Sequence, residues 1–206
     1  MIPTKDNYFV ILDAHSSGDL IIEKYNKKGK RDTQFLASKE SMCIYGSIIQ
    51  LETPNKLWLF LDDYSDTTYS SVPKLMSLDL ETLVAKNITT NFINEISSMD
   101  AAILNRKENK IYVASSSKAL HPEKKAKVNH DVYVYSYPDL KLLNLIPTPD
   151  QPRYLVFYPE YNKLYINNSL SMSLIDTQQE KVIKTFEYTP KRMEKVAPDK
   201  LMIWHY

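Results

Sequence analysis

Three groups of residues have the types that chemistry requires. Asp62, Asp63 and Asp66 lie in DDYSDTTYSS (Asp62–Ser71), with Tyr64, Tyr69 and several hydroxyls among them. A hard cation such as Ca²⁺ takes carboxylate and carbonyl oxygens, and this i, i+1, i+4 spacing offers two or three. The stretch lacks the glycine and terminal glutamate of an EF-hand loop, so a solvated acidic loop built on Asx turns is the plainer reading. The second group is SSSKALHPEKKAKVNHD (Ser115–Asp131), which holds Lys118, Lys124, Lys125 and Lys127 together with His121 and His130. Such a basic patch suits phosphate, an acidic protein or lipid head groups. No aromatic lies between these lysines to stack a base, which speaks against nucleic acid and leaves a solvated loop as the simpler account. The third group is the set of four histidines, His15, His121, His130 and His205. The spacing of His121 and His130 fits no zinc template and Cys43 is the lone cysteine, so no metal centre and no cofactor are expected. Neither a Gly-x-Ser-x-Gly elbow nor a glycine-rich phosphate loop is present.

Composition narrows the classes further. Hydrophobic residues make up 43% of the 206, enough to build a core, and the formal net charge of +1 gives no global pull toward nucleic acid or acidic lipid. The longest N-terminal apolar run, Tyr8–Leu12, is too short for a secretory or membrane segment. Cys43 sits in the apolar run MCIY as a buried, inert thiol. A soluble, cytoplasmic protein is expected, with a reducing surrounding for its single thiol.

The elements that must position these groups are read from repetition. One word, a turn residue followed by an aliphatic–aromatic–aliphatic run, occurs as NKLWLFL, NKIYVAS, NKLYINN and DKLMIWH, with a weaker first copy, DNYFVIL. The copies start at residues 6, 55, 109, 162 and 199, so their spacings are 49, 54, 53 and 37. After each of the first four comes an alternating strand, a polar turn and another strand, as in SMSLIDTQQEKVIKTF. Before the later copies lies one more apolar strand: CIYGSIIQL, AAILN, RYLVFY and MEKVA. Four strands in about forty residues is the size of a propeller blade. With the strands of each meander lettered a to d in chain order, the N-terminus supplies b, c and d. Full meanders follow over Met42–Ile88, Met99–Ile146 and Arg153–Glu187, and the C-terminus supplies a (Met193–Val196) and b (Leu201–Tyr206).

The pairing of NKLYI with SLIDTQQEKVIKTF resembles the YVTN-type branch of WD-like β-propeller repeats, most closely at Leu164–Ile166 and Leu174–Thr177. The chain has only three glycines and no Trp-Asp signature, so its tight turns rest on Asn, Asp and Pro. The resemblance implies an all-β propeller of four-stranded antiparallel blades, four or five in number, formed by residues 1–206 as one domain. Strands within 1–40 would close the ring with those within 191–206, or more chain or a second copy would complete it. Propeller lactonases and cyclotransferases place carboxylates and histidines near the central tunnel, which would give His15 with Asp13 or Asp62 such a role.

Hairpin order puts the b–c and d–a connections on one face. There the loop lengths vary, and variation on a fixed scaffold is where binding usually resides. The expected function is a non-enzymatic binding or assembly module whose protein partner meets Asp62–Tyr69 and Lys118–Lys127. The alternative is a metal-using lactonase- or cyclotransferase-like enzyme. The apolar C-terminal strand also offers a route to self-association.

Overall fold

Strand after strand of short hairpins makes up the computed structural model, which describes residues 2–3, 7–14, 19–38, 42–43, 48–50, 55–65, 70–88, 100–118, 127–188, 192–197 and 200–204. Among these residues there is no helix. The chain divides into two compact units, Met1–Thr89 and Thr90–Tyr206.

The first unit contains two antiparallel sheets. One has the order β1 (Ile2–Pro3), β2 (Asn7–Ala14), β3 (Asp19–Asn26), β4 (Arg31–Ser38). Strands b, c and d of the sequence reading are thus joined by a two-residue strand a, which places Ile2 opposite Phe9. In the other sheet, β7 (Lys56–Ser65), β8 (Ser70–Asp79) and β9 (Val84–Asn87) follow in order. The run CIYGSIIQL, read as one strand, is instead two: β5 (Met42–Cys43) and β6 (Ile48–Gln50) both pair with β7.

The second unit repeats the plan. One sheet runs β10 (Ala101–Asn105), β11 (Lys110–Ala114), β14 (Asp131–Ser136), β15 (Leu142–Pro147), with the small hairpin β12 (Ser117–Lys118) and β13 (Lys127–Val128) inserted between b and c. The next runs β16 (Pro152–Tyr158), β17 (Lys163–Asn168), β18 (Met172–Asp176), β19 (Lys181–Phe186). A final pair, β20 (Arg192–Ala197) and β21 (Lys200–Trp204), holds the a and b positions of one more meander.

Strands β11 and β14 are apolar without alternation because they are covered on both faces. Ile111 to Ala114 and Val132 to Tyr135 are all buried, whereas the outer strands β9, β15 and β19 are mostly exposed. In the second unit the cover on one side is visible. Tyr112, Val132, Val134 and Ile146 of one sheet form a single core with Phe157, Leu164, Ile166 and Ile175 of the next. The β20–β21 pair docks on that second sheet in turn. The Tyr158 hydroxyl donates to the Lys200 carbonyl at 2.7 Å, and the Lys195 ammonium stands 4.7 Å over the Tyr158 ring.

One pair of turns recurs with the same bonding in three sheets. The N–H just beyond strand c donates to the carbonyl of the asparagine that precedes strand b: Leu80 to Asn55, Tyr137 to Asn109, Thr177 to Asn162. Asn109 and Asn162 sit at φ of 51° and 52°, the left-handed region that asparagine tolerates better than most residues. The last residue of strand c caps its own turn. Asn26 accepts from the Lys28 and Lys30 N–H groups, Asp79 from Glu81 and Thr82, Ser136 from Lys141, and Asp176 from Gln178 and Gln179. The Asn-Lys word therefore marks a backbone stitch, and the left-handed turn at Asn109 and Asn162 is what favours asparagine there.

Candidate binding face

The end of each sheet that carries the b–c connections is built differently from the stitched end. The a–b and c–d turns of the four-stranded sheets in the second unit span four or five residues. Their b–c connections span sixteen residues in one sheet (115–130) and three in the other (169–171).

The residues singled out in the sequence are distributed as follows. Asp62, Asp63 and Tyr64 do not lie in a loop. They are part of β7, opposite Pro73, Val72 and Ser71 of β8. The stretch is rich in Tyr, Ser, Thr and Val, which suit a strand, and pairing once in register propagates to the tip. Asp62 and Asp63 are thus adjacent residues of one strand and not of a loop, while Asp66 and Tyr69 fall outside the described residues. Lys118 and Lys127 also belong to strands and stand opposite each other in the β12–β13 hairpin. His121, Lys124 and Lys125 lie outside the described residues, as do His15 and His205, while Asp13 is within β2 opposite Leu20. His130 is exposed, and its carbonyl accepts from both the N–H and the hydroxyl of Thr148. Among the described residues no group of three or more His, Cys, Asp or Glu is placed to hold a metal ion.

In the second unit this end is fixed by polar groups beneath and apolar groups on top. Asn129, fully buried, donates to the carbonyls of Ser115 and Asp131 at 2.6 and 2.7 Å. Ser116 donates its N–H to Asp100 at 2.7 Å, tying the end of strand b to the start of strand a. The neighbouring sheet has the same tie in another form: the Ser169 N–H donates to the Gln151 carbonyl and its hydroxyl to the Gln151 side chain. Arg153 donates to the Ser169 hydroxyl, and the Asn168 amide donates to the hydroxyls of Ser171 and Ser173. The Asn168 N–H donates to the Ser171 carbonyl, leaving Ser169 and Leu170 alone at the tip of a tight hairpin.

Leu170 is 76% exposed on that pinned tip, and Tyr154, opposite Asn167 in β16, is 56% exposed. Val128 is exposed on the inserted hairpin of the adjacent sheet. None of these three was singled out by charge or hydroxyl content. The one available signal was a leucine between serines, SLS, in the shortest b–c connection.

No protein-family description matches the chain, and no curated protein sequence matches it. Solved structures do. Hydrazine synthase of Kuenenia stuttgartiensis is similar with a TM-score of 0.56 at 12% identity, over 90% of this chain and 47% of that one. The nidogen/laminin complex is similar with a TM-score of 0.53 at 11% identity, over 85% of this chain and 61% of that one. The chain thus spans about half to three fifths of the lengths of these neighbours. At such identities the likeness is one of fold: all-β, of four-stranded antiparallel sheets, as in propeller-like proteins.

Proposed function

We propose that this chain is a non-enzymatic binding module of propeller type that holds a protein partner on the b–c end of its second unit. Leu170 and Tyr154 are the anchors. The carrying observation is Leu170: a large apolar side chain held out to solvent on a hairpin whose flanks are bonded to Gln151, Arg153 and Ser173. An apolar or aromatic group fixed in place before contact loses little freedom on binding, and tyrosine, as at 154, is enriched among the residues that carry most of the energy of protein interfaces. In the finer architecture proposed, the four sheets and the β20–β21 pair are radial blades of one ring of four or five, in the manner of YVTN-type repeats. The double-sided burial of the inner strands and the sheet-upon-sheet packing of the second unit support this.

The test is capture of partners by the immobilised full chain, with identification by mass spectrometry. Three variants are compared: Leu170→Ser, Tyr154→Ala, and Tyr161→Ala, the last removing an equally exposed tyrosine at the stitched end. A partner should be lost at least 10-fold with each of the first two and kept with the third. Loss with Tyr161→Ala alone would place the partner at the wrong end and overturn the assignment.

A further inference from the structure

At the stitched end of the second unit, where its two four-stranded sheets meet, both ends of the Asn105 amide and the Thr177 hydroxyl are buried without a hydrogen-bond partner. We propose that these groups form a binding site for an internal water molecule, which joins the two sheets beside the Tyr112 hydroxyl.

The strands bring the groups together. Asn105 closes β10, opposite Lys110 of β11, and is 1% exposed. Thr177 is the first residue beyond β18 of the next sheet and is fully buried. Tyr112 spans the space between them. Its hydroxyl donates to the Thr177 carbonyl at 3.5 Å, long for such a bond, and the Asn105 amide stands beside it without reaching bonding geometry. A buried amide or hydroxyl gives up its bonds to solvent on folding, a loss that only a new partner offsets. Both ends of the amide are unbonded, so the demand is the same whichever way it is turned. Internal waters typically supply about three bonds to groups of this kind.

The surrounding charges disfavour an ion. The Lys110 ammonium lies 2.6 Å from the Glu180 carboxylate and 3.3 Å from that of Glu108, so a second cation would meet it at close quarters. A hard cation also takes oxygens alone, and the Asn105 N–H groups would stand in its shell. An anion would face the same two carboxylates, whose charges are felt at this place. Burial foremost, then Glu108 and Glu180, push the Tyr112 hydroxyl well above its ordinary pKa. Water is neutral and both donates and accepts, which matches an amide and a hydroxyl.

Tyr158 shows what the position requires. It closes β16 opposite Lys163, the place that Asn105 holds opposite Lys110. There the side chain is long enough to cross, and its hydroxyl donates directly to the Lys200 carbonyl of the adjoining strand pair at 2.7 Å. Asparagine is shorter, and a water supplies the missing reach.

A high-resolution crystal structure of the full chain should show a solvent peak about 2.7–3.2 Å from the Asn105 amide and the Thr177 hydroxyl. In oxygen-17 magnetic relaxation dispersion, the full chain should hold one long-lived water more than the double variant Asn105→Leu/Thr177→Val, whose apolar side chains of similar size leave nothing to bind. No peak at that place would overturn the proposal, as would contacts of about 2.3–2.6 Å to oxygens alone, which mark a cation. An equal number of long-lived waters in the folded variant would overturn it too. Should the double variant not fold, the density in wild-type crystals decides by itself.

Discussion

Replacing Leu164 by alanine tests whether the sheets of the second unit stack through their b and c strands. Leu164 is fully buried at the centre of the core shared by the two four-stranded sheets. The substitution removes three carbons. At about 0.8 kcal/mol per buried methylene, the transfer loss is about 2.4 kcal/mol. Incomplete collapse of the cavity raises the total to about 3–4 kcal/mol, inside the range of about 2.7–5.0 kcal/mol seen for buried leucines. For a unit of this size that lowers the unfolding midpoint by about 10–15 °C. Ile183→Ala on β19, where the side chain is 43% exposed, is the control and should cost less than about 1 kcal/mol. The assay is thermal unfolding followed by tyrosine near-ultraviolet circular dichroism, since Tyr112 and Phe157 meet in the same core. Equal costs for the two variants would refute the stacking of these sheets through Leu164 and, with it, the radial arrangement.

Asn162, at positive φ before β17, should accept glycine with little loss, whereas Asn162→Val should destabilise by about 1–2 kcal/mol in urea titration. Equal effects would show that the left-handed turn is not what selects asparagine. Asp176 has its carboxyl held below the ordinary 3.8, first by the Lys163 ammonium and then by the Gln179 N–H. A depressed folded value means that its contribution is complete at neutral pH and disappears as acid protonates the folded carboxylate. Stability should therefore be level above about pH 5 and fall below about pH 4, with a shallower fall in Asp176→Asn. Identical slopes in wild type and variant would remove Asp176 as a source of acid sensitivity. If β21, which among the described residues pairs only with β20, mediates self-association, light scattering of the full chain should exceed that of a chain lacking Leu201–Tyr206; equal masses would exclude that route.

Much of the fold was legible because its signals are local. NKLW, NKIY and NKLY each place a left-tolerant turn residue before a run that is buried on both faces, and such a run needs no alternation to be recognised. The Asp-Thr-Gln-Gln turn was legible for the same reason: a carboxylate two and three residues ahead of free N–H groups caps them wherever it occurs. What was not legible depends on partners distant in sequence. Asp62–Tyr64 look like loop material until β8 is laid beside them, and Ile2–Pro3 is a strand only because Tyr8 and Phe9 are there to pair. Exposure is the least local property of all. Leu170 and Ile166 are both aliphatic residues of one hairpin, and nothing in their types tells that one is at the tip and the other at 0% exposure in the core.

The backbone stitch between the asparagine carbonyl and the N–H beyond strand c gives each sheet a polarity of tolerance. Because both partners are main-chain groups, the stitch fixes the length of the closed rim, while the left-handed turn at Asn162 and the Asp176 cap are what restrict its residue types. On the opposite rim Ser116 and Ser169 tie strand b to strand a, and the b–c connections that contain those serines run to sixteen residues in one sheet and three in the other. A designer wishing to graft a new recognition segment onto this scaffold would splice it between Ser169 and Ser171, and leave Pro159–Asn162 untouched.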